Sequence, residues 1–132
     1  NNRYVLEDLF TILNTYTNIK YFAVSNVNYP EDLSIYIKVI PNRIILVPKI
    51  ESPTAVENIK KIIDVIPTTE KMVMLDHDDL YSNLIKNKES SSKFTEYITI
   101  LKENCEKNNV TLLRTIGVIF SDEEKRTTQY IK

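Results

Sequence analysis

The sequence predicts an α/β fold: four parallel strands alternating with helices, in a single domain over residues 1–132. Three observations lead there. Short apolar runs begin near residues 21, 44, 72 and 111, each of strand length. Helical patterns separate them, and that alternation implies parallel strands joined by right-handed crossovers. The runs also end in a characteristic way. Ile44 to Val47 gives way to Pro48, then Lys49-Ile50-Glu51, then a helix start at Ser52-Pro53. This is how the carboxyl end of a buried parallel strand reads: apolar strand, polar lip, helix. Asp76-His77-Asp78-Asp79 repeats the design. In α/β folds such lips are where ligands bind. Two architectures fit, a small open doubly wound sheet or about half of a (β/α)8 barrel, since a whole barrel needs roughly 200 residues or more.

Each element has its reason. Residues 3–16 place Val5, Leu6, Leu9, Phe10, Ile12 and Leu13 at helical spacing on one apolar face. Residues 20–27 read as a strand ending at Ser25-Asn26. Pro30 opens a helix with Glu31 and Asp32 beside it, and Pro41-Asn42 closes it. After the strand at 43–50, Ser52 caps a helix that carries Val56, Ile59, Ile63 and Ile66 on one side, with Ile62 beside them. Pro67-Thr68-Thr69 is a turn, and residues 71–76 form a third strand. The polar stretch from Asp79 to Ser92 reads as a short helix and a loop. Residues 92–107 form a helix with Phe94, Tyr97, Ile98 and Leu101 inward, ended by Asn108-Asn109, because asparagine tolerates the left-handed conformation. A fourth strand over 110–120 and a last helix capped by Ser121 or Asp122 complete the chain.

Composition narrows the function. Seventeen basic and eighteen acidic residues give a net charge of −1, so no charge excess points to nucleic acid or an anionic membrane. The eight tyrosines form no regular stacking ladder. No apolar run approaches the ~20 residues of a membrane helix, and the first residues lack a signal-peptide run. The lone Cys105 offers no disulfide framework and fits a reducing, cytoplasmic compartment. A single glycine excludes the glycine-rich phosphate loops.

The lips carry a resemblance. Ala23-Val24-Ser25-Asn26-Val27 with Pro30-Glu31-Asp32-Leu33 resembles the "SFV…A-E-D" stretch of pyruvate kinase. Val47-Pro48-Lys49-Ile50-Glu51-Ser52 with Ala55-Val56-Glu57-Asn58-Ile59 resembles its "KIEN…G-V-x-N" stretch. The same residues resemble the "PKxES" segment of the citrate lyase β-subunit and malyl-CoA lyase relatives, the HpcH/HpaI aldolase family. Met72 to Leu80 resembles "IMVARGDL", and Asn109 to Thr115 resembles "GKPVICAT". Covering residues 20–120 in order, the motifs resemble the carboxyl-terminal half of the phosphoenolpyruvate/pyruvate-binding barrel superfamily.

That resemblance implies a half-barrel and an enzyme acting on phosphoenolpyruvate, pyruvate or a related 2-oxo acid, by phosphoryl transfer or aldol-type C–C cleavage. It implies Glu51 and Asp79 as ligands of Mg²⁺ or Mn²⁺, which would hold an enolate. It implies Lys49 as a stabiliser of charge or aid to proton movement, Thr115 at the substrate end of the last strand, and substrate contacts at Ser25 and Asp78. Asp78 replaces the family's glycine and His77 its arginine. An extra acid there would repel an anionic substrate unless it too binds metal. The other half of the barrel is absent, which implies a homo-oligomer or a second chain or segment completing it, or else a piece excised from a longer protein. The alternative is a degenerate half that no longer catalyses and serves binding or assembly.

Each residue also has a structural reading. Glu51 and Asp79 suit helix N-termini as caps. Lys49 suits a solvated sheet edge and His77 a polar loop. Arg114, inside an apolar strand, suits either an anion clamp at the lip or a sheet edge. Asp76 and Asp78 crowd Asp79, and such clusters bind a cation or raise one another's pKa. Cys105, with no histidine nearby, reads as structural.

Overall fold

The computed structural model describes residues 2–115, the first five of them as backbone alone. Residues 116–120 of the expected fourth strand and the expected last helix lie outside the described residues, as do the side chains of Val5 and Leu6. The elements are helix α1 (Asn2–Thr15), strand β1 (Tyr21–Val24), a 3-10 turn (Pro30–Leu33) leading into α2 (Ser34–Val39), β2 (Ile45–Ile50), α3 (Pro53–Glu57), α4 (Ile59–Val65), β3 (Met72–Leu75), α5 (His77–Lys86), α6 (Lys93–Lys107) and β4 (Thr111–Arg114).

The four strands form one sheet in the order β1-β2-β3-β4, and every pairing is parallel. That order decides between the two architectures. A doubly wound sheet reverses its strand order at a switch point and carries helices on both faces. Here spatial order follows chain order, and the core lies on one face. Val24, Leu46, Ile50, Val73 and Leu75 pack with Leu33, Val56, Ile59, Ile62, Leu84, Phe94 and Leu101 in one apolar cluster. The chain is therefore wound as half of a (β/α)8 barrel. The opposite face, which would be a barrel's interior, carries the register pairs Tyr21 with Ile45, Ala23 with Val47, Lys49 with Met74, and Met74 with Leu113.

Pro48 sits inside β2 at a handover. β2 pairs with β1 up to Val24–Pro48 and with β3 from Lys49–Met74 onward. A proline has no N–H to give a ladder, so it is tolerated where one pairing ends and the next begins.

Three elements differ from the sequence expectation. The helix expected over 53–66 is divided into α3 and α4 at Asn58, whose side chain donates to the carbonyls of Asn28 at 3.0 Å and Thr54 at 3.1 Å; such local side-chain bonds compete with regular helix. The expected short helix after Asp79 is a ten-residue helix beginning at His77. Leu80 and Leu84, both 0% exposed, anchor it one turn apart, and Tyr81 meets the edge of Phe94 with ring centroids 5.3 Å apart. In α1, Leu13 is buried and Leu9 half-buried, but Phe10 and Ile12 are exposed, so the inward face is narrower than the apolar pattern implied. Asn109 does take the left-handed conformation expected of it, at φ 58°.

Candidate metal centre

The lips are neighbours because β2 and β3 are neighbours. Past the last pair, Ile50 with Leu75, the Asp76 N–H donates to the Ile50 carbonyl at 3.1 Å. Side-chain alternation along β2 turns Lys49 to the face away from the helices. The chain leaves β2 through Glu51, which is only 5% exposed, and enters α3 at Ser52, whose hydroxyl accepts from the Ala55 N–H at 3.2 Å. It leaves β3 through Asp76, whose Oδ1 accepts from the Asp79 N–H at 3.1 Å and caps α5. The caps are therefore Ser52 and Asp76, which frees Glu51 and Asp79 from that role.

Glu51, Asp76 and Asp79 each place a carboxylate oxygen so that the three lie within 4.8 Å of one another. Glu51 Oε2 accepts from the Asn26 N–H at 2.5 Å. Asn26 presents that N–H from a left-handed conformation, φ 59°, that asparagine adopts at small cost. The Glu51 carbonyl accepts from Asn83 Nδ2 at 2.7 Å, tying the lip of β2 to α5. Lys49 Nζ lies 3.3 Å from Glu51 Oε1 and 3.4 Å from Asp76 Oδ2. Burial opposes the charged ammonium, but the Glu51 and then the Asp76 carboxylates outweigh it and hold the Lys49 pKa above its ordinary value. Lys49 is thus a fixed positive charge at neutral pH.

Three carboxylates and one ammonium leave a formal charge of −2, with hard oxygen donors just past two strand ends and on the first turn of α5. That donor set suits Mg²⁺ or Mn²⁺ and offers little to soft metals.

The remaining expected residues are placed as follows. Thr115 lies just past β4, with its N–H and hydroxyl donating to the Leu75 carbonyl at 3.0 and 3.3 Å. Arg114 pairs in register with Leu75, so alternation turns it to the helix-covered face rather than toward Lys49. It neighbours His77. Burial first and the Arg114 charge second hold the His77 imidazole below its ordinary pKa, against a backbone hydrogen bond with Thr115. His77 is buried, its Nε2 has no partner among the described residues, and it is not part of the acidic cluster. Asp78 is half-buried in the first turn of α5 and also outside that cluster. Ser25 is exposed at the end of β1. Cys105 is 2% exposed inside the core, and burial pushes its thiol up to about 11, as suits a structural residue.

Sequence reasoning paired Glu51 with Asp79, left Asp76 unassigned, and missed Asn26 and Asn83. Asp76 had a signal: an acid directly after an apolar strand and three residues before a second acid is placed as an N-cap. Asn26 and Asn83 had none, because their roles depend on contacts across 25 and 32 residues.

No protein-family model and no curated protein matches the chain. Among solved structures it is similar to RipC from Yersinia pestis, with a TM-score of 0.63 and 14% identity, over 84% of this chain and 54% of RipC. The chain spans about half the length of that structure. At this identity the likeness concerns the fold: an α/β chain of four parallel strands wound as half of a barrel. Among the described residues, no helix is long and apolar enough to cross a membrane.

Proposed function

We propose that this chain is a divalent-metal-dependent enzyme domain acting on phosphoenolpyruvate, pyruvate or a related 2-oxo acid in the cytoplasm. The observation that carries the reading is the convergence of Glu51, Asp76 and Asp79 within 4.8 Å, at the lip where the motif resemblance also falls. Mg²⁺ or Mn²⁺ held there would supply positive charge for an enolate chelated through its carboxylate and enol oxygens. Glu51 and Asp76 are the ligands fixed by the strands, and Asp79 the adjustable one. Lys49, held charged, is an electrostatic stabiliser rather than a nucleophile. Thr115, just past β4, is the residue assigned to substrate contact in this reading. The charge balance suits phosphoryl transfer and aldol-type cleavage equally, since both run through an enolate.

The second reading is a binding or assembly module. What favours it is exposed apolar surface: Phe10, Ile12, Tyr16 and Tyr21 are all about half exposed, and among the described residues β1 and β4 are the edge strands of the sheet. Under either reading a second copy or another segment completes the barrel.

Calorimetric titration of the chain with Mn²⁺, with and without oxalate as an enolate mimic, tests the proposal. Saturable binding that oxalate strengthens, and that Glu51→Gln and Asp79→Asn weaken, supports the enzyme reading. A folded chain that binds no Mn²⁺ at millimolar concentration leaves the assembly module.

A further inference from the structure

A cavity of about 290 Å³ opens beside Glu51, between the end of β1, the start of α3 and one side of α5. It is lined by Glu51 with Asn26, Asn28, Asn83 and Asn87, which carry carboxamides, and Ser52 and Thr54, which carry hydroxyls. One side is held rigid. Asn28 Oδ1 accepts from the Ser52 hydroxyl, and the Asn28 carbonyl accepts from Asn58 Nδ2 at 3.0 Å. Asn83 is fixed through its bond to the Glu51 carbonyl at 2.7 Å. Those bonds leave hydrogen-bonding capacity over. The Asn28 amide N–H groups, the Asn83 amide oxygen, the Thr54 hydroxyl and the side chains of Asn26 and Asn87 have no partner among the described residues.

The lining selects a ligand class. Glu51 is the one charged residue on it, and its carboxylate is engaged by Lys49 and the Asn26 N–H. A phosphate or carboxylate would meet no cation there. No aliphatic or aromatic side chain lines the cavity, so an apolar ligand would gain nothing. Carboxamides and hydroxyls both donate and accept, as does a vicinal pair of hydroxyl groups. The cavity sits at the small end of ligand pockets. We propose that it binds a small uncharged polyol or sugar through vicinal hydroxyls, as a site separate from the acidic cluster. The two share Glu51 but differ in every other residue.

The test is titration of the metal-free chain, in the presence of a chelator, with glycerol, D-xylose and D-glucose, read by NMR at the asparagine side-chain amide signals; sodium acetate is the anionic comparison. The expected result is saturable movement of the Asn26, Asn28, Asn83 and Asn87 signals with at least one polyol, at a Kd on the order of 10 mM or tighter, and none with acetate. Asn26→Gly keeps the left-handed backbone while removing the amide, and Thr54→Ala removes the free hydroxyl. Each is expected to weaken binding about tenfold with the backbone spectrum unchanged. Should Asn26→Gly fail to fold, Thr54→Ala carries the comparison. Absence of saturable shifts with all three compounds overturns the proposal, as does equal response to acetate or binding that both variants leave intact. Because no metal is present, this outcome is independent of the metal reading.

Discussion

Asp76 uses its two oxygens for different purposes, and Asp76→Asn separates them. Oδ1 caps α5 by accepting from the Asp79 N–H at 3.1 Å, and Oδ2 faces Lys49 at 3.4 Å. Asparagine caps helices about as well as aspartate, so the substitution keeps the cap and removes the charge. Both side chains of the ion pair are partly solvated, with 22% and 15% exposure. Its loss should therefore cost no more than about 1 kcal/mol. In a chain of this size that lowers the melting temperature by roughly 3–5 °C. Asp76→Ala loses the cap as well, about 1 kcal/mol further. The effect on a divalent ion should be larger. A unit charge about 4 Å from a doubly charged ion contributes about 2 kcal/mol even at the dielectric of water, a roughly 30-fold change in affinity. Calorimetry with Mn²⁺ and thermal melting, run on the same samples, read the two quantities. Near-native melting with a tenfold or greater loss of Mn²⁺ affinity is the expected pair. An Asp76→Asn chain that binds Mn²⁺ within threefold of the unmodified one would refute the assignment of Asp76 to the metal site and leave it a cap and ion-pair partner.

Leu84, 0% exposed on α5, should behave as a core residue even though the surrounding sequence is polar. Leu84→Ala is expected to cost about 2–5 kcal/mol in urea denaturation, and a loss below about 1 kcal/mol would show that α5 is not anchored as described. Tyr97 sets an alkaline limit. Its hydrogen bond to Glu89 at 2.5 Å, then burial, push its phenol up to about 12 from an ordinary value of 10.0. The unfolded chain loses that proton near the ordinary value and the folded chain only later. Unfolding therefore releases a proton between the two, and this stabilisation is whole below pH 10.0 and lost as pH rises toward about 12. Urea midpoints followed into alkaline pH should fall over that window, and Tyr97→Phe should flatten the fall; an unchanged slope would refute the coupling.

Strand positions were readable because a buried parallel strand is a local signal: a few consecutive apolar residues and a polar exit. The winding was not. Whether helices cover one face or both depends on which strands become neighbours, and no single segment carries that information. The size of α5 was hidden because its first three residues, His77, Asp78 and Asp79, are polar and, beside the buried His77, Leu80 and Leu84 are the buried apolar residues on it. The opposite error arose in α1, where consecutive apolar residues suggested a wide buried face, while Phe10 and Ile12 remain exposed.

The acidic run 76–79 shows how much of a site a sequence holds once its secondary structure is known. Read as a loop, Asp76, Asp78 and Asp79 are interchangeable, and three adjacent acids would repel the anionic substrate that the motif resemblance implies. Read as the start of a helix, they are not equivalent, because successive residues turn by about 100° and those three apart share a face. Asp76, as the N-cap, accepts from the Asp79 N–H at 3.1 Å and so lies beside it, and both reach toward Glu51. Asp78 falls on a different side, outside the cluster, with an oxygen that is buried and lacks a hydrogen-bond partner among the described residues. Asp78, which the motif resemblance sets against a glycine, thus adds no ligand to the acidic cluster. Its consequence is local, on the first turn of α5 beside His77, and the charge facing Lys49 is set by Glu51 and Asp76. An anion approaching the lip is opposed by the same three carboxylates that fit a divalent ion, and the ion's positive charge would reverse that opposition. Substrate affinity at this lip should therefore depend on metal more steeply than on any single residue around it.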